Sequence, residues 1–190
     1  KPDVRDRDGA TPLISASMFG QEEIVRLLLK KGADVALTDN AGGTALGYAV
    51  ESPMPDLAAM LIEAGADVNS ADAAGETALM KAARAGNLDV VRLLLGKKAE
   101  IKSQRSDGQF ALMIAAAYGH VDVARWLVDK GAPVDMTDNQ GRSALMAAAR
   151  GGSDEIVEYL LANRADPNLQ ATSGWTTVML AAGQGHLSIV

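Results

Sequence analysis

Apolar residues along this chain fall into paired short blocks, each block polar at both ends. In the first pair, residues 12–19 carry Leu13, Ile14, Ala16, Met18 and Phe19, and residues 21–31 carry Ile24, Leu27 and Leu28 at helical spacing, continued by Lys31. The spacing predicts two helices, one over 12–19 ended by Gly20 and one over 21–31 ended by Gly32. Thr11 stands where a hydroxyl can cap the first helix. Pro12 occupies the first helical position, where a missing N–H costs nothing. Before each of the first three pairs comes Asp-x-x-Gly-x-Thr, as over residues 39–44, and variants of it precede the others. Glycine takes positive φ in such a turn, and aspartate binds the amides that follow it.

The same pattern returns every 33 residues. Ala16 recurs as Ala49, Ala82, Ala115, Ala148 and Ala181, Leu28 as Leu61, Leu94, Leu127 and Leu160, and Gly9 as Gly42, Gly75, Gly108, Gly141 and Gly174. Several columns locked to one period define repeats at about 8–39, 40–72, 73–105, 106–138, 139–171 and a partial one at 172–190. One helix pair cannot bury its own apolar stripe, so neighbours must stack into a continuous core. The alanine column lets the helices approach. We therefore expect one repeat domain over 1–190, without an internal boundary. The ending Leu187-Ser188-Ile189-Val190 would stop within a helix and leave apolar surface bare, from which a longer parent chain is expected.

Gly-x-Thr-Pro-Leu, Ala-x-x-x-Gly, Val-x-x-Leu-Leu and Gly-Ala-Asp-Val together resemble the ankyrin repeat, over essentially all 190 residues. The resemblance implies an all-α solenoid of helix-turn-helix units with protruding hairpin-like β-turn loops. It also implies that partners dock on a concave surface made by turn fingers and by the exposed side of the first helices. On that surface the repeats differ from one another. The turn-tip column includes Glu76, Gln109, Arg142 and Trp175. The exposed pairs on the first helices include Met18-Phe19, Glu51-Ser52, Arg84-Ala85, Ala117-Tyr118 and Arg150-Gly151. Arginines and scarce aromatics gather there, and these residue types dominate interface energetics. Met18, Phe19, Glu51, Glu76, Arg84, Gln109, Tyr118, Arg142, Arg150 and Trp175 are therefore the expected partner-binding residues. Tyr118, with Arg84 and Arg150 in the repeats on either side, is the expected centre. Trp126 aligns with Leu27, Met60, Leu93 and Tyr159 in the second helices and is assigned to packing.

Some positions break the pattern. The first helix ends at glycine in most repeats but at Pro53 in the second, where proline cannot take positive φ and the turn must differ. Lys98 and Arg164 replace the glycine that ends the second helix, at a cost of roughly 1 kcal/mol each if the conformation is left-handed. Phe110 replaces the capping threonine, which forgoes an acceptor worth about 1 kcal/mol. Where the family usually has histidine after Thr-Pro-Leu, the column reads Ile14, Gly47, Met80, Met113, Met146 and Met179. This reads as a ladder of core packers rather than a soft-metal site.

Composition narrows the chemistry. The chain has no cysteine, a net charge of −6, 48% hydrophobic residues and 4% aromatics. Thiolate sites and disulfides are excluded. The acidic balance argues against nucleic acid, although Arg84, Arg142 and Arg150 could form a local stripe. No apolar run reaches the roughly 20 residues that span a bilayer. His120 and His186 share one repeat position and read as structural. The carboxylates Asp6, Asp39, Asp72 and Asp138 read as turn formers, with Arg105 and Ala171 in the same column. No nucleophile elbow, phosphate loop or zinc-binding helix pair is present. The expected role is a non-catalytic module that binds another protein, with no cofactor and no small-molecule ligand, in an intracellular, cytoplasmic setting. The alternative is the targeting arm of a larger enzyme or effector whose chemistry lies elsewhere.

Overall fold

A computed structural model describes residues 1–52 and 54–190, so the expected irregular turn at Pro53 lies outside the described residues. The described residues form two compact units, Lys1–Glu100 and Ile101–Val190. The first contains α1 (Pro12–Met18), α2 (Glu22–Lys30), α3 (Ala45–Ala49), α4 (Pro55–Glu63), α5 (Ala78–Ala85) and α6 (Leu88–Gly96). The second contains α7 (Ala111–Ala117), α8 (Val121–Asp129), α9 (Ala144–Gly151), α10 (Asp154–Ala162), α11 (Thr177–Gln184) and a 3-10 turn at Leu187–Ile189. In the first unit α1, α3 and α5 stack in sequence, and α2, α4 and α6 stack behind them. In the second, α7, α9 and α11 stack in the same way, backed by α8 and α10.

The helices begin where side chains permit. Thr11, Thr44, Thr77, Ser143 and Thr176 each accept the amide three residues on. Phe110 provides no such bond, but its ring is completely buried, which offsets the lost cap with apolar contact. The alanine column from Ala16 to Ala181 is buried throughout. Met80, Met113 and Met146 lie in the core, whereas Met179 is half exposed. Lys98 and Arg164 both have φ 67°, the left-handed ending expected from their place in the repeat.

One expectation needs correcting. Ile24 and Leu27 of α2 are about half exposed, while Val25 is the fully buried residue of that helix. The counterparts of Ile24, which are Leu57 and Val90, are fully buried. α4 and α6 each pack on the second helix of the preceding repeat, and among the described residues α2 has no such neighbour.

Between helix pairs the chain turns back on itself in short antiparallel bridges, Thr38 with Thr44, Ala71 with Thr77, Thr137 with Ser143 and Gln170 with Thr176. One Oδ1 of Asp6, Asp39, Asp72 or Asp138 accepts two backbone amides, at 2.9–3.0 Å, which holds each turn shut. Where Arg105 replaces the aspartate, Asp107 accepts the Gln109 amide instead, and the Arg105 guanidinium grips Asp107 through two 2.8 Å bonds. Successive turns are zipped together. Asn40 N–H donates to Asp8 O at 2.9 Å and Ala73 N–H to Ala41 O at 2.8 Å in the first unit; Thr172 N–H donates to Gln140 O at 2.8 Å in the second. A Cβ at Gly9 would lie 2.5 Å from Asn40 Oδ1, so this position needs glycine for closeness as well as for its φ of 78°.

Candidate interaction face

In the first unit the inner helices contribute Ser15, Tyr48 and Lys81 from one repeat position, on α1, α3 and α5. The Tyr48 hydroxyl donates to Asp39 Oδ2 at 2.6 Å. Lys81 Nζ lies 3.1 Å from Asp72 Oδ2 and 5.2 Å from the centre of the Tyr48 ring. The Lys81 side chain is only 8% exposed. One small residue makes room for the cluster: a Cβ at Gly43 would lie 2.7 Å from the Tyr48 ring, whereas one at Gly47 would stand 3.7 Å from Lys81 Nζ, an ordinary contact.

Electrostatics follow from this packing. Donation to Asp39, together with burial, pushes the Tyr48 hydroxyl up to about 12. Burial acts to raise the Asp39 carboxyl, but the Tyr48 hydroxyl, the Gly43 and Ala41 amides and the Lys81 charge outweigh it and hold Asp39 below the usual carboxylate range. Asp72 is likewise lowered against its own burial, by the Glu76 amide and by Lys81. The expected site residues Glu76 and Arg84 pair with each other, Arg84 Nη1 and Nη2 donating to the two Glu76 carboxylate oxygens. Met18 and Phe19 are exposed, Phe19 by 72%, and with Tyr48, Glu51 and Met54 they line an open hollow of about 470 Å3.

The second unit treats the same repeat position differently. It carries Ile114, Ala147 and Leu180, with no hydrogen-bonding side chain. Beside them runs a groove of about 350 Å3, lined by Met113, Met146, Ala147, Leu180 and Gly151, with Gln109, Arg142 and Arg150 also on its wall. Arg142 is tied to Asp138 Oδ2 through Nε at 2.7 Å and Nη2 at 2.6 Å, and the Asp138 side chain is fully buried. Arg150 is exposed and makes no ion pair among the described residues. Tyr118 is exposed and stacks on His120, with ring centres 6.2 Å apart. It does not line the groove. Trp175 is half exposed and lies over Gly183, where a Cβ would stand 3.5 Å from the ring.

The structure thus gathers Gln109, Arg142 and Arg150, and separately Met18, Phe19 and Glu51, while it commits Glu76 and Arg84 to each other. His186 Nε2 lies 3.2 Å from the Arg150 carbonyl, a tie between repeats. Asn87 does the same in the first unit, donating to Ser52 O at 3.1 Å. Trp126 is half buried, with Lys130 Nζ 4.5 Å above its ring. Sequence reasoning overlooked Tyr48, Lys81 and Ala147, and placed Gly151 on the face without counting it among the binding residues. A signal existed: the column containing Tyr48 runs from Ser15 to Leu180 and varies as strongly as the turn tips. Among the described residues no cluster of His, Cys, Asp and Glu could hold a metal ion, and no helix is long and apolar enough to cross a membrane.

Stacked helix pairs with zipped turns, and an inner face that varies over a constant core, have a counterpart among known proteins. The family described as Ankyrin repeats (3 copies) matches residues 1–72, 41–105 and 79–171. The matches cover most of the chain, and the chain belongs to the ankyrin-repeat family, whose domains are generally protein–protein interaction modules.

Proposed function

We propose that this protein is a recognition module that holds a partner protein on the face made by its first helices and turn tips. The observation that carries this reading is the groove on the second unit, where an apolar floor lies beside the exposed Arg150. Constant columns are consumed by packing, so the variable face is where recognition has room to act. Arg84 and Arg142 each direct their charge to a carboxylate of the same unit, which weakens the case for a basic stripe that follows a nucleic-acid backbone.

The test compares pull-downs from native lysate with wild-type chain and with Arg150→Ala, Tyr118→Ala and Glu158→Ala. Glu158 is exposed on α10, away from the proposed face. Arg150→Ala and Tyr118→Ala should each weaken capture of the recovered partner by about 1 kcal/mol or more, and Glu158→Ala should not. Loss with Glu158→Ala alone would move the function to the second-helix side.

A further inference from the structure

The groove on the second unit has a definable origin. Ala147 and Gly151 lie one turn apart on α9, so they open on the same side of the helix. At the position of Ala147, α7 carries Ile114 and α11 carries Leu180. At the position of Gly151, the neighbouring repeats carry Tyr118 and Gln184. Two large side chains are therefore missing from adjacent places in one helix, between repeats that have them. A Cβ at Gly151 would stand 3.2 Å from the Ala117 carbonyl, so glycine lets the end of α9 sit close against the end of α7, and it brings no side chain to the groove that it lines.

The walls of the groove select its occupant. Met146, Ala147 and Leu180 supply an apolar floor. Two guanidinium groups stand on the wall, and no carboxylate lines the groove. The carboxylate held by Arg142, Asp138, is fully buried. Arg142 is thereby fixed in place, and Arg150 is left to pair with a group from outside. Its planar fork suits a carboxylate. Gln109 can bond an extended backbone, since its amide both donates and accepts. A volume of about 350 Å3 takes one bulky side chain with the backbone that bears it.

Resting on the interaction face proposed above, we propose that this groove binds a peptide segment of a partner protein in which a bulky apolar residue is followed or preceded, within two positions, by Asp or Glu. The apolar side chain enters the gap left by Ala147 and Gly151, and the carboxylate pairs with Arg150. An extended chain advances about 3.3 Å per residue, so a carboxylate within two positions starts no more than about 7 Å along the chain from the apolar residue.

Selection of a random twelve-residue phage-displayed peptide library on the full chain tests this. Recovered peptides should be enriched in Leu, Ile, Phe or Trp beside Asp or Glu. As synthetic peptides measured by fluorescence anisotropy, they should bind Ala147→Leu at least tenfold more weakly, because leucine fills the gap as Leu180 does in the next repeat. With Arg150→Glu, selection should turn toward Lys and Arg beside the apolar residue. Unchanged melting of both variants separates loss of the groove from loss of the fold. Failure to recover peptides, or peptides without the acidic partner, would overturn the proposal. Peptides that lose binding in Tyr118→Ala but tolerate Ala147→Leu would also overturn it while sparing the broader face. Peptides sensitive only to Glu158→Ala would remove both.

Discussion

One repeat position has two fates in this molecule. In the first unit it holds Tyr48 and Lys81, which are drawn inward to Asp39 and Asp72 and satisfied there. In the second it holds Ile114, Ala147 and Leu180, which carry no polar group; Ile114 is buried, and Ala147 and Leu180 line a groove beside Arg150. A repeat architecture fixes where a side chain starts, and its neighbours decide whether it is spent on stability or left for recognition. In the first unit Gly43 clears the space that lets the Tyr48 side chain fold inward. In the second, Ala147 and Gly151 clear space that nothing from the same unit fills.

The largest expected effect bears on the polar cluster. Lys81→Ala leaves the mostly buried Asp72 carboxylate without its cation and should cost about 3 kcal/mol, read as a lower urea midpoint. A change near zero would mean that the cluster is surface decoration and the contrast between units is empty. Next comes packing in the second unit. Ala115→Leu, in the fully buried alanine column, should cost about 1–3 kcal/mol, whereas Ala147→Leu should stay within about 0.5 kcal/mol. Equal penalties would mean that Ala147 is a core residue.

Alkaline titration sharpens the comparison further. The Tyr48 hydroxyl is raised from 10.0 to about 12 in the folded chain, so the native state holds its proton longer than the unfolded chain. Its contribution is complete below pH 10 and is lost as pH rises toward 12, on the order of 1–2 kcal/mol. Tyr48→Phe should lose about 1 kcal/mol at neutral pH and should flatten that part of the slope. An unchanged slope in the variant would detach Tyr48 from alkaline stability. The smallest effect sits once in each unit. Lys98→Gly and Arg164→Gly remove a side chain from φ 67° and should be neutral or stabilising by up to about 1 kcal/mol, net of the greater unfolded-chain entropy of glycine. A clear drop in midpoint for both would show that the alkyl stems contribute packing worth more than the strain.

The period, the caps and the left-handed endings were legible in the sequence because each depends on residues a few positions apart. Lys98 and Arg164 illustrate this: their place just after a helical stripe was enough to predict their conformation. Phe110 was legible only as a lost cap, because its full burial depends on residues packed around it rather than on its own turn. The candidate site was half legible. Arg142 and Arg150 were found from the variable columns, but that one is tied to a buried aspartate and the other unpaired is a matter of distance. Glu76 and Arg84 were read as two separate contacts, yet they fold onto each other.

By itself, then, the sequence determined the repeat, its register and the face on which the repeats differ, because 33-residue periodicity and turn chemistry are local and repeat without reference to the rest of the chain. Only the tertiary structure decided which residues of that face are occupied. Tyr48 meets Asp39 nine residues away, Lys81 reaches Asp72 in the preceding turn, and the groove beside Arg150 exists because two small residues on α9 stand between larger ones on α7 and α11. Such outcomes depend on the volumes and charges of stacked neighbours, which a column of letters orders but does not measure.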